Sequence, residues 1–209
     1  MNQNKLSISR LNKDSNERSL AEDLYLTAFP EIERHPIGEL FDACNTGKCE
    51  WLIFKDNATF IGMAYMVVND DIAFLLYLAV ADDQRNKGFG AGILSELSGL
   101  YDGKEVVLLI ESLHEECDNM DIRIRRKGFY LRNGFHDTGY IQSTCNGAAI
   151  YDILSTSPNF RTASWKTEKT AAPRKWKPRA FPMPSASITA SKPAQTASAI
   201  SPLGAKIRN

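Results

Sequence analysis

The stretch from Ile72 to Gly92 restricts the fold of this chain more than any other. Ile72–Val80 reads IAFLLYLAV, nine apolar or aromatic residues in a row, which suits a strand. It runs into Asp82–Gly92, DDQRNKGFGAG, a loop that is first polar and then rich in glycine. Ile93, Leu94, Leu97 and Leu100 follow at helical spacing, and Gly103 ends the pattern. A strand that passes through a glycine loop into a helix calls for a layered α/β body.

The flanking sequence agrees. Ser15–Phe29 is expected to be a helix with Leu20, Leu24 and Ala28 along one side and Pro30 as its stop. A short helix is expected over Ile37–Ala43. Trp51–Lys55, Thr59–Val68 and Ile72–Val80 read as strands joined by the polar turns Asp56-Asn57 and Asn69-Asp70-Asp71, an antiparallel meander. Val106–Ile110 is a continuous apolar run, so a strand covered on both faces. A basic helix over Asp121–Asn133 ends at Gly134, and strands Phe135–Gln142 and Ala148–Leu154 close the body around Asn146-Gly147.

Residues 158–209 differ in kind. They hold seven of the nine prolines, and Pro, Ala, Ser and Thr make up 28 of these 52 positions. No helical or strand period survives there, so too little apolar area is buried to offset the cost of ordering. The expected division is a folded domain over 1–157 and a disordered basic tail over 158–209. The formal charge of zero hides this split. The tail has ten basic residues against one acid, Glu168, and the body has fifteen bases against twenty-four acids.

Several classes are excluded. The longest apolar run, Ile72 to Ala81, is ten residues, whereas a spanning helix needs roughly 20. The opening MNQNKLSISR lacks the apolar stretch of a signal peptide, so a cytoplasmic location is expected, away from membranes. Cys44, Cys49, Cys117 and Cys145 form no C-x-x-C, and they read as free thiols. His114-Glu115 lacks the second histidine of a zinc-protease helix, since position 118 is Asp, and no metal is expected.

The chemistry lies in Arg85-Asn86-Lys87-Gly88-Phe89-Gly90, the pattern R-x-x-G-x-G. Glycines admit a ligand close to the backbone, and a helix start offers unpaired N–H groups with a partial positive charge. Together they suit a pyrophosphate, with Arg85 and Lys87 adding charge; the alternative is that both glycines merely turn the chain. A P-loop is excluded because G-x-x-x-x-G-K-[ST] is absent. A dinucleotide fingerprint fails because its third glycine position is Ile93, and seven residues separate Val80 from Gly88.

With Val80 in front, the pattern becomes V-x-x-x-x-R-x-x-G-x-G, and Tyr130-Leu131-Arg132-Asn133-Gly134-Phe135 supplies Y-x-x-x-G-F. In these two motifs, in this order, the chain resembles the GNAT superfamily of acetyl-coenzyme A dependent N-acetyltransferases, from about Leu6 to Leu154. Ala28–Arg34 is also similar to the helix-to-loop stretch of some bacterial members. The resemblance implies a mixed, mostly antiparallel central sheet flanked by helices, with a splay between the fourth and fifth strands. It implies that acetyl-CoA is held by backbone groups of Leu78 and Val80 at the thioester and by Arg85, Asn86, Lys87, Gly88, Phe89, Gly90 and Ala91 at the pyrophosphate. Tyr130 matches the tyrosine that often protonates the leaving thiolate. The loop Pro30–Gly38, with Glu31 and Arg34, is expected to meet the acceptor, as is Gln142–Ala148.

Tyr130 is either that acid or an aromatic wedge in the core. Glu111, at the end of the buried strand, is either the general base or an ion-pair partner of Arg123, Arg125 or Arg126. Arg123 stands where many members carry a cofactor-contacting Asn. The leading expectation is acetyl transfer to a primary amine of a small molecule. A protein or peptide acetyltransferase and a non-catalytic acyl-CoA-binding module are the alternatives. Nucleic acid is not an expected partner, although the basic tail leaves room for one, and a homodimer is allowed.

Overall fold

The computed structural model describes residues 5–113, 118–143, 150–160 and 188–190. The order of elements is β1 (Ser7–Arg10), α1 (Arg18–Ala28), α2 (Ile37–Cys44), β2 (Cys49–Asp56), β3 (Thr59–Val68), β4 (Ile72–Val80), α3 (Phe89–Leu100), β5 (Glu105–Glu111), α4 (Met120–Arg132), β6 (His136–Ser143), β7 (Ile150–Ser155) and β8 (Ile188–Ala190). The strands form one sheet in the order β1-β2-β3-β4-β5-β7-β6-β8. Among the described residues only β4 and β5 run parallel, and every other strand pair is antiparallel.

Each strand of the central sheet sends alternate side chains to opposite faces, and helices cover both. On one face α1 and α2 bury Ala21, Leu24, Tyr25, Leu40 and Phe41 against Trp51, Ile53, Met63, Tyr65 and Phe74. On the other, Ile93, Leu94 and Leu97 of α3 pack on Leu52, Phe54, Met66, Leu75 and Leu108. The expected helix Ser15–Phe29 is α1, with one correction to its face. Leu20 is exposed and Tyr25 is fully buried, because the Tyr25 hydroxyl donates to His35 O at 3.0 Å and accepts from His35 N at 2.7 Å. That pairing offsets the cost of burying the phenol.

The feature that positions the site is an irregularity in β4. Pairing with β3 runs Met66↔Leu75 and then Tyr65↔Tyr77, so Leu76 is an extra residue, a β-bulge. The side chains record the slip. Phe74 packs on the α1 face and Leu75 on the α3 face, but Leu76 and Tyr77 both pack on the α1 face, and only then does alternation resume. Parallel pairing with β5 ends at Leu75↔Leu108, directly before the bulge. Beyond it β4 and β5 separate, which is the splay that the resemblance implies.

The strand β8 pairs through its backbone with Tyr140–Gln142 of β6, within the segment expected to be an unstructured tail. The rest of that tail beyond residue 160, the Asn146-Gly147 turn, most of the Gln142–Ala148 loop, Cys117, Cys145 and the His114-Glu115 pair lie outside the described residues.

Candidate active site

The gap between β4 and β5 is a cleft of about 550 Å³. Leu75 to Val80 form one wall and Leu108 to Glu111 the other. Phe29, Pro30 and Glu33, Arg85 and Gly90, Asn119, Arg126, Phe129 and Tyr130 of the α4 segment, and Tyr151 complete the lining.

The backbone of β4 is what this cleft offers first. Ala81 N donates to Ile61 O at 2.9 Å, so the polar groups of Ala81 point at β3. Alternation along an antiparallel strand turns those of Leu78 and Val80 the other way, toward the cleft. Arg85 reaches this edge, its Nε donating to Val80 O at 3.2 Å. The cleft therefore presents a short strand edge able to pair with an extended ligand.

The glycine loop sits at its end. Asn86 and Gly88 take left-handed backbone angles, φ 61° and 85°, and the latter begins α3. No side chain caps that helix start, and Gly88 O accepts from Ala91 N and Gly92 N, which leaves the N–H groups of Phe89 and Gly90 with no acceptor inside the helix. A Cβ on Gly90 would stand 3.1 Å from the Phe129 ring, so this glycine also lets α3 approach α4. Arg85 pairs with Asp82 at 2.7 Å, and the Lys87 ammonium donates to Gln84 Oε1 at 3.2 Å. This end suits a phosphate-sized anion.

The opposite end carries ionisable groups. Glu111 is gripped by two guanidinium groups, Arg126 at 2.7 Å and Arg123 at 3.3 Å. Arg123 also donates to Ser112 O at 3.0 Å, so it fastens α4 to the end of β5. Arg125 is turned away and donates to Asp121 O. Glu33 is different: among the described residues its carboxylate has no hydrogen bond or ion pair. Burial pushes its pKa up, the nearby Glu111 charge adds to the rise, and Arg126 opposes it. Burial likewise raises the Tyr151 phenol, helped by Glu33 and Glu111. Glu33 is held by its own backbone, whose carbonyl accepts from the Tyr77 hydroxyl at 2.7 Å.

Tyr130 lines the same cleft. Its ring stacks edge-on against Phe129 and Phe135, so it is an aromatic wedge as well as a cleft residue. Burial pushes its phenol up to about 12, with Arg126 working against the rise. Gly134 adopts φ 85° just past α4, and Phe135 N donates back to Tyr130 O at 3.2 Å, which locks the tyrosine at the end of its helix.

The fold thus brings Leu78, Val80, Arg85, Gly90, Glu111 and Tyr130 to one cleft. Asn86, Lys87, Gly88, Phe89 and Ala91 form the loop and helix start at its end. Glu31 and Arg34 lie outside the cleft lining, and Arg34 donates to Leu26 O at 3.0 Å. Sequence reasoning missed Glu33, Tyr151 and Asn119. Glu33 sits in the right loop, but nothing in EIER distinguishes the inward glutamate from its neighbour two residues earlier.

Among the described residues no cluster of three or more His, Cys, Asp or Glu is arranged to hold a metal ion, and no helix is long and apolar enough to cross a membrane.

Residues 47–137 match the family model described as the acetyltransferase (GNAT) domain. A search of curated proteins returned no match. Among solved structures, a GNAT-family protein from Bacteroides thetaiotaomicron is similar over 78% of this chain and 93% of its own, with TM-score 0.64 and 20% identity. An aminoglycoside 6'-N-acetyltransferase complexed with coenzyme A covers 74% of this chain and 98% of its own, with TM-score 0.57 and 15% identity. An Arabidopsis thaliana protein bound to the bisubstrate analogue CoA-Ac-MVNAL covers 73% of this chain and 99% of its own, with TM-score 0.51 and 20% identity. At these identities the likeness is one of fold.

Proposed function

Since residues 47–137 match the acetyltransferase (GNAT) domain, we propose that the chain transfers an acetyl group from acetyl-CoA to a primary amine by direct attack. The observation that carries this reading is the end of β4–β5 pairing at Leu75↔Leu108. It frees the peptide groups of Leu78 and Val80 beside a glycine-led helix start, in the same cleft as Tyr130 and Glu33.

The residues fit the co-substrate. The N–H groups of Phe89 and Gly90, with those of the loop from Arg85, would hold the pyrophosphate. The free edge of β4 would pair with the pantetheine arm, and a backbone N–H near Val80 would polarise the thioester carbonyl. Acetyl-CoA supplies the activated acyl group and its thiolate leaving group.

The amine must lose a proton on attack, and Glu33 is the group placed to take it, directly or through a water. It has no ion pair among the described residues, and its pKa is raised, both of which favour a base working nearer neutrality. Glu111 already spends both carboxylate oxygens on Arg123 and Arg126, so it is assigned to positioning and Glu33 to proton transfer. Tyr130, with a phenol near 12, stays protonated at neutral pH and donates a hydrogen bond to the departing sulfur. A thiol near 8.5 holds its proton less tightly than that phenol, so full transfer from Tyr130 runs uphill.

The fold does not select the acceptor: one similar structure is an aminoglycoside acetyltransferase and another holds a peptide-derived analogue. The test is calorimetric titration with acetyl-CoA, followed by thiol release against a panel of amines, polyamines, aminoglycosides and peptides. Binding with amine-dependent thiol release is expected. Absence of acetyl-CoA binding would overturn the reading, and binding without turnover of any amine would make the domain an acyl-CoA-binding module.

A further inference from the structure

The acceptor end of the cleft has an uneven charge arrangement. Glu111 is a single carboxylate with two guanidinium partners, so the Arg123–Glu111–Arg126 group keeps one net positive charge. The two arginines are not equivalent. The Arg123 side chain is largely covered, 17% exposed, and is committed to Glu111 and to Ser112 O. The Arg126 side chain is 48% exposed, lines the cleft, and spends only Nη1 on Glu111. A guanidinium has five N–H donors in a planar fork, so most of those on Arg126 remain for another acceptor. Glu33 lines the same cleft and has no ion pair among the described residues.

Resting on the acetyltransferase reading above, we propose that the acceptor is an amino carboxylate: a small molecule whose primary amine meets Glu33 and whose carboxylate docks on the Arg126 guanidinium. A planar guanidinium matches a carboxylate with two parallel hydrogen bonds, and Glu111 with Arg123 behind it holds that fork in place. Phe29, Pro30 and Tyr151 add apolar and aromatic surface to the same cleft. A polyamine or aminoglycoside fits this arrangement less well. Its second cation would meet a carboxylate already capped by two arginines, beside an excess positive charge. In this assignment Glu111 is a positioning residue for Arg126.

The test uses the full chain with acetyl-CoA and measures thiol release. The probes are L-phenylalanine and ω-amino acids of increasing chain length, each beside its methyl ester and its decarboxylated amine. Spermidine and a peptide with a free N-terminus run in parallel. At least one amino carboxylate should exceed its ester by about 10–100-fold in kcat/KM, mainly through KM, the scale of a charge-assisted hydrogen-bonded pair. Arg126→Gln should bring that ratio near one while calorimetric acetyl-CoA affinity and melting temperature hold, and Arg126→Lys should keep part of the preference. Equal or better turnover of the esters, of spermidine or of the peptide would overturn the assignment, as would a preference that survives Arg126→Gln. Loss of acetyl-CoA affinity in Arg126→Gln would give this arginine to the co-substrate and overturn it too. Acetyl-CoA binding with no turnover of any amino carboxylate sinks this inference alone. No binding by the wild type sinks the acetyltransferase reading, and this inference with it.

Discussion

The Tyr77 hydroxyl donates to the backbone carbonyl of Glu33 at 2.7 Å, so the strand that opens the sheet also fixes the loop above the opening. Tyr77 follows the bulge residue Leu76, and its ring packs edge-on at 5.0 Å from Tyr25, whose own hydroxyl binds both polar backbone atoms of His35. Two buried tyrosines thus hold a loop with little regular structure of its own. Removing one hydroxyl leaves a carbonyl to find water, at a cost of about 0.5–1.5 kcal/mol. Tyr77→Phe is therefore expected to lower stability by about that amount. It should also reduce kcat/KM for the acceptor by about 10-fold through misplacement of Glu33, with acetyl-CoA affinity unchanged. Thermal melts, steady-state kinetics and calorimetry on one preparation separate the three effects.

Glu33→Gln tests the base. With Glu33 as the proposed base, the deprotonated carboxylate would be the active form, so the acceptor kcat/KM of the wild type should rise with pH through a pKa above the ordinary carboxylate range. In Glu33→Gln this limb should vanish and the rate fall by about 10²–10⁴-fold. Stability should move the other way. A carboxyl whose pKa is raised on folding binds more protons when folded, so its unfavourable contribution grows as pH rises from the unfolded pKa through the folded one. Glu33→Gln should then melt higher than wild type at neutral pH and equal to it in acid. A variant that melts lower at neutral pH would mean that Glu33 has a structural partner instead.

Tyr130→Phe keeps the aromatic wedge against Phe129 and Phe135 and removes only the hydroxyl. The expected loss is about 10–10³-fold in kcat with acetyl-CoA affinity held. Because burial pushes the phenol up to about 12, the wild-type kcat profile should show no descending limb near the free phenol's value of about 10. A kcat within twofold of wild type, with chemistry rate-limiting, would leave Tyr130 a packing residue.

Two glycines are expected to respond differently to alanine. A Cβ on Gly62 would collide with the Ala79 carbonyl oxygen, a backbone atom in the neighbouring strand, so Gly62→Ala should cost on the order of 3 kcal/mol. A Cβ on Gly90 meets the edge of the Phe129 ring at 3.1 Å, and a ring can tilt, so Gly90→Ala should cost about 1 kcal/mol. Chemical denaturation of both variants checks the ranking. A loss of acetyl-CoA affinity in a bulkier Gly90 variant reports on α3–α4 packing as well as on the pyrophosphate seat.

How much of this was legible beforehand follows from burial. The strands Thr59–Val68 and Ile72–Val80 match β3 and β4 residue for residue, because both are apolar runs bounded by turn residues. The strand β1 was not readable: Ser-Ile-Ser-Arg sits at the sheet edge, one side paired and mostly exposed, so it needs no apolar pattern. The face of α1 was misread because Tyr25 buries its polar hydroxyl on a backbone partner ten residues away, which a periodicity count cannot see. Leu100, counted into the apolar face of α3, is 42% exposed at the helix end. At the site, glycines and Tyr130 stood out by spacing. Glu33 did not, because what singles it out is a long-range bond to Tyr77, and Glu111 could be weighed only once Arg123 and Arg126 were seen to converge on it.

The extra residue at position 76 also has a meaning for repair. A chain lacking Leu76 would recover unbroken two-residue alternation along β4, and nothing local would then prevent the strand from zipping to β5 past Leu75. The repaired sheet would gain hydrogen bonds and lose its opening. Deletion of Leu76 should accordingly abolish acetyl-CoA binding by calorimetry in a protein that still folds, because the slot proposed for the pantetheine arm is an interruption of the sheet. A deletion variant that folds and binds with wild-type affinity would show that something other than the bulge keeps the two strands apart.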